Sequence, residues 1–184
     1  MRQVLLVVAL ASDGSAFAQQ HQQQQVQPQS GYAGLQDRDI KALSQEQVAD
    51  LQEGRGMGAS LPAELSGVPG PLHVLQLKGK LNVTTEQQAS LERISAEMKA
   101  SAQQLGQQVI AAEAALDRAF KTGGADQESI PETTARIGAV QGQLRSVHLI
   151  AHLQTKQLLS GAQVVAYNEA RGYSRTAAEP SHPH

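Results

Sequence analysis

Cysteine and tryptophan are absent from the 184 residues, and the aromatic side chains amount to two Phe and three Tyr. Without cysteine there are no disulfides, no thiolate metal ligands and no acylated lipoprotein N-terminus. The scarcity of aromatics leaves Ala, Leu, Val and Ile to pack the interior, which suits slender helices lying close together better than a thick globular core. Strong charge is lacking too: the formal net charge is -2 at pH 7. Nothing in that balance points to nucleic acid. A membrane-spanning run is also missing at the start of the chain, where the apolar stretch Val4 to Ala11 falls well short of the roughly 20 residues a spanning helix needs.

What is there at the start is Arg2, that apolar stretch, and the small-residue box Ala16-Phe17-Ala18 before Gln19. This reads as a secretory signal peptide over 1–18, cleaved after Ala18. Residues 19–31, with His21 and the glutamine run 22–25, hold too little apolar surface to fold and read as a disordered linker. A single helical domain over 32–173 and a disordered tail over 174–184 complete the expected organisation.

Three copies of one short pattern then stand out: a branched apolar residue, Ser or Thr, two spacers and Gln. They are Leu43 to Gln47, Val83 to Gln87 and Leu159 to Gln163. A Ser or Thr hydroxyl at a helix N-cap accepts the amide proton three residues on, while Gln at that position reaches back to the cap's own amide. Each copy therefore predicts a helix start.

The first lies inside a helical period, Ile40, Leu43, Val48 and Leu51, that predicts a short helix or two turns between Asp39 and Gln52. Gly54-Arg55-Gly56-Met57-Gly58 interrupts it; following no strand and lacking a Lys-Ser/Thr ending, it reads as a hinge and not as a phosphate loop. A helical turn is expected over Leu61 to Leu65, and a short apolar helix around His73 between Pro71 and Gly79. The second copy opens the longest helix, with Leu91, Ile94, Met98, Leu105, Val109, Ala112, Leu116 and Phe120 as its apolar stripe, ending at Gly123-Gly124. Ser129 and Pro131 start the next. Its stripe is Ile137, Val140, Leu144, Val147, Ala151 and Leu158, with Glu132 and Arg136 spaced for an ion pair. The third copy starts a last helix, Ala162 to Ala170, closed by Gly172. The expected fold is all-α: a long antiparallel helical hairpin with short N-terminal hook helices and a short C-terminal helix.

For chemistry, the sharpest pattern is His148-Leu149-Ile150-Ala151-His152, two imidazoles one turn apart on one helix face. A zinc peptidase would need Glu directly after the first His, where Leu149 stands. Two readings stay open: a metal-binding pair, or histidines that flank the hairpin seam and hydrogen-bond across it. His73 reaches the same region if the N-terminal hook folds over the hairpin. Glu64 and Met57 are further donors, a carboxylate for a hard ion and a thioether for a soft one. His182 and His184 lie in the tail. The residues of a metal site are thus His73, His148, His152 and Glu64, for a divalent zinc, nickel, cobalt or copper ion. No trio of nucleophile, base and orienter is evident, nor a paired-carboxylate motif or nucleotide fingerprint, so no enzyme activity is expected. Asn82-Val83-Thr84 fits a glycosylation acceptor but doubles as cap sequence.

The Ser/Thr-x-x-Gln boxes, the signal peptide and the long hairpin resemble the Spy/CpxP superfamily of periplasmic proteins, together with its heavy-metal-resistance branch of CnrX- and ZraP-like sensors. Tyr32 to Gln36, Ile40 to Ser44, Gly54 to Gly58, Pro69 to Leu75, His148-Leu149 with His152-Leu153, and Ala170 to Tyr173 are similar to a subgroup of periplasmic heavy-metal sensors and refolding chaperones. The resemblance implies a periplasmic, commonly homodimeric helical hairpin linked to metal resistance or the envelope stress response. In the sensing branch, a histidine just upstream of the long helix and one on the following helix contribute ligands; His73 and His148 or His152 match those places. The resemblance further implies an inner-membrane signalling partner or, in the chaperone branch, unfolded periplasmic clients held without ATP.

Overall fold

The computed structural model describes residues 30–173, and these are helical with no strand among them. The readings for the signal peptide, for the linker up to residue 29 and for the tail with His182 and His184 lie outside the described residues. In chain order the helices are α1 (Gln45–Glu53), α2 (Leu61–Glu64), α3 (Pro71–Gln76), α4 (Thr85–Lys121), α5 (Ser129–Leu158) and α6 (Gly161–Arg171). None is long and apolar enough to cross a membrane.

All three boxes form as expected. Ser44, Thr84 and Ser160 are the N-caps of α1, α4 and α6, and each exchanges both hydrogen bonds with Gln47, Gln87 or Gln163. The second and third boxes also meet each other. The Gln87 and Gln163 amides pair reciprocally, at 3.0 and 2.9 Å, while Gln87 Nε2 donates to the Leu158 carbonyl and Gln163 Nε2 to that of Leu81. Two local motifs thereby close the open end of the hairpin. α1 begins only after Ser44: Ile40 to Leu43 is a turn, preceded by a short 3-10 segment, Leu35–Asp37, that the sequence pattern did not suggest. Asp126 supplies the missing cap of α5, its Oδ1 accepting from the amides of Glu128 and Ser129.

α4, about 55 Å long at 1.5 Å per residue, packs antiparallel to α5, and the apolar interior gathers in two places. Where α1 lies on the hairpin, Leu51, Ala102, Val109, Val140 and Leu144 are buried together. Here the chain needs glycine, because a methyl group at Gly106 would stand 2.8 Å from the Leu51 carbonyl carbon and closer still to its oxygen. At the open end, Val74, Leu81, Leu91, Leu159 and Tyr167 form the second cluster beneath α3 and α6. Along α5, His148, His152 and Thr155 occupy the buried stripe between the two clusters, where a purely apolar helix would have carried on.

Two expectations fail. Phe120 is 65% exposed, because the apolar period of α4 runs on to a position that its neighbours do not cover. The spaced pair Glu132 and Arg136 is not among the ion pairs of the described residues; both side chains are exposed, where holding two long side chains together yields little.

Candidate functional site

Glu64 ends α2, and only 6% of its surface is exposed. The short helix places it there because Pro62 in the first turn starts α2 and Gly67, with φ of 73°, turns the chain immediately after it. An isolated carboxylate so buried would be costly, and donors surround it. On Oε1 converge the Tyr167 hydroxyl at 2.6 Å, the Arg171 guanidinium Nε at 3.2 Å and His73 Nδ1 at 3.3 Å. Burial pushes the carboxyl pKa up, but the Tyr167 hydrogen bond, His73, Tyr173 and Arg171 more than offset it and hold Glu64 below the usual carboxylate range. Burial beside the same carboxylate drives the Tyr167 phenol well above its ordinary value, so it stays a donor.

Oε2 is different. It is buried and has no hydrogen-bond partner, the nearest ring nitrogen being His152 Nδ1 at 3.8 Å. That Nδ1 lies 2.8 Å from the carbonyl of Val68, which can only accept, so Nδ1 carries the proton. His152 does hydrogen-bond, though not across the seam of α4 and α5: it fastens α5 to the loop between α2 and α3. Gly70 covers its other edge, so closely that a methyl there would come 2.7 Å from Nε2. His148 carries no such tie. Only 4% exposed, it has a buried Nε2 with no partner, while Nδ1 faces Gly56 of the α1–α2 link. Burial, with His152 as a lesser cause, lowers its pKa. His73 is shifted the same way, mainly by burial.

Glu64, His73, His148 and His152 all line one cleft of about 570 Å³, together with Met57, Leu61, Leu72, Met98, Arg171 and Tyr173. The sequence-derived site residues are therefore brought into one place. They are not brought into coordination: among the described residues no three His, Cys, Asp or Glu side chains stand in an arrangement ready to hold a metal ion. Met57 is at the mouth, 46% exposed, in a left-handed backbone conformation at φ 44°. The sequence reading missed Tyr167, Arg171 and Tyr173 as part of this cluster. A signal existed, since Tyr167 and Arg171 are one helical turn apart in a chain with very few aromatics. Compared with protein-family models, curated proteins and solved structures, the chain matches none of them.

The donor chemistry fits a borderline divalent cation. Lone pairs on a carboxylate oxygen and on neutral imidazole suit zinc, nickel, cobalt or copper. Among the described residues, two of the three buried side-chain atoms without a partner, Glu64 Oε2 and His148 Nε2, belong to that set.

Proposed function

We propose that this is a periplasmic metal-binding protein of the Spy/CpxP-like type, acting as a heavy-metal sensor linked to metal resistance or envelope stress. The observation that carries the reading is the pair of buried, unpartnered polar atoms on residues that line one cleft, Glu64 Oε2 and His148 Nε2. A buried polar atom without a partner costs about 1–3 kcal/mol, so a site that keeps two of them is poised to gain by taking a cation. Glu64 and His148 would hold the ion, with His73 at the rim and His152 completing the set once its ring leaves the Val68 carbonyl. The bound ion would supply one thing, a positive centre joining the N-terminal hook to α5. The chain's own residues do the rest: burial keeps His73 and His148 unprotonated, and Tyr167 orients the carboxylate.

Titration calorimetry on residues 19–184 with zinc, nickel, cobalt and copper, beside Glu64→Gln and His148→Ala, tests this. Binding at micromolar or tighter affinity that is lost in both variants is expected. Affinity unchanged from wild type in both variants refutes the site.

A second reading, an ATP-independent holdase, draws on the exposed Leu61, Leu65, Leu72, Ile150 and Leu153. Met57, Leu61 and Leu72 line the cleft itself, so apolar segments of unfolded chains would meet the same face.

A further inference from the structure

We infer that Arg171 is a built-in competitor of the metal, so that cation binding at Glu64 releases the last turn of α6. The inference rests on the metal reading of the Glu64 cleft and assigns that site its output.

Charge is the starting point. Glu64 is a single anion, and Arg171 already balances it from 3.2 Å. A divalent ion on Oε2 would leave three positive charges around one negative one, in a setting where little water screens them. Arg171 is free to leave: its side chain is 32% exposed, against 7% for Glu64 and for His152, and unlike the comparably exposed His73 it has no lone pair to offer the ion. It would take Tyr173 with it, because the guanidinium lies 5.6 Å from the centre of the Tyr173 ring and donates to its hydroxyl at 3.1 Å.

The rest of α6 is held by more than its contact with Glu64. Gln163 is locked to Gln87 at its start, and Tyr167 is fully buried against the second apolar cluster. Release is therefore confined to the turn after Tyr167. There the further ties to the hook are an Asn168 contact to the Gly67 carbonyl at 3.5 Å and the cover of Tyr173 on the cluster. A cation at Glu64 thus changes the position of the chain from Arg171 to Tyr173.

Linkage makes the proposal quantitative. If metal and Arg171 compete for Glu64, removing Arg171 raises metal affinity by the factor by which metal weakens the docking of α6. About tenfold is expected, within the usual range of coupling between sites.

The test is hydrogen exchange of the whole chain from residue 19, with and without saturating zinc, read at the amides of 168–173, and zinc affinity of Arg171→Gln measured beside wild type. Zinc should speed exchange at 168–173 while leaving 161–166 unchanged, and Arg171→Gln should bind zinc about tenfold more tightly. Zinc that binds but leaves 168–173 unchanged or more protected overturns the competition and spares the metal reading. Absence of zinc binding to wild type overturns both. Should Arg171→Gln fail to fold, the exchange measurement on wild type decides alone.

Discussion

A buried charge is most informative where nothing neutralises it. Glu113 sits on the inner face of α4 at 9% exposure, and burial, with Asp117 as the lesser cause, holds its pKa above the ordinary carboxylate value. Asp117 is itself paired with Lys41 at 3.6 Å and Lys121 at 3.4 Å. Because the folded pKa is raised, the native state binds the Glu113 proton more tightly than the unfolded chain does. Ionising it therefore removes stability as pH rises through the folded value. Glu113→Gln should be more stable than wild type at pH 7 to 8, and the gain should vanish towards about pH 4, where both states keep the proton. Urea midpoints at the two pH values check this, and an equal midpoint at pH 8 refutes it. Glu113 shows how much of a site is unreadable from spacing alone. Its burial follows from the packing around α4 and not from its neighbours in sequence. Glu64 is the same case in reverse: the Tyr167 bond that makes its burial tolerable spans 103 positions. The histidine pair was legible because two imidazoles at i and i+4 must share a face. That one of them would be spent on a backbone carbonyl was not.

Elements were more legible, since their ends are written locally. A hydroxyl and an amide three residues apart settle a helix start within one turn, and all three boxes did so here. Where the signal needed a distant partner it misled: Phe120 continues the period of α4 but lies uncovered. The join of α1 to α4 depends on an absent side chain. Gly106→Ala should drive the helices apart and cost about 1–3 kcal/mol, as overpacking does. Gly138→Ala and Gly142→Ala, in α5 with no atom within 4 Å of the added methyl, should instead stabilise by up to about 1 kcal/mol through helix propensity. Denaturant unfolding of the three variants separates the effects. If Gly106→Ala follows the other two, the close approach of Leu51 is not a constraint.

At the scale of the molecule, the fold draws its cohesion from two apolar clusters with a polar layer between them. A ligand that ties that layer should be felt globally. Zinc at a hundredfold excess over its dissociation constant should raise stability by about 2.7 kcal/mol, on the order of 5–10 °C in midpoint for a domain of this size. A chelator should reverse it. Thermal scans followed by circular dichroism read this directly, and an unchanged midpoint at saturation would show that the ion sits elsewhere or binds the unfolded chain equally well. Loosening of the last turn of α6 subtracts from this gain without cancelling it, because Tyr167 stays in place.

The reciprocal amide pair of Gln87 and Gln163 has a consequence for alignment. The apolar part of the seam between α4 and α5 is lined by Ala, Val, Leu and Ile side chains. Sliding one helix along the other by a turn, 5.4 Å, would replace one set of such contacts with a similar set. The glutamines do not allow it. Each glutamine closes its own helix cap and also reaches the other motif, and a displaced turn would break the reciprocal amide pair and the Gln87 bond to the Leu158 carbonyl at the open end of the hairpin. As a single buried asparagine selects the phase of a coiled coil, this pair selects the phase of the hairpin.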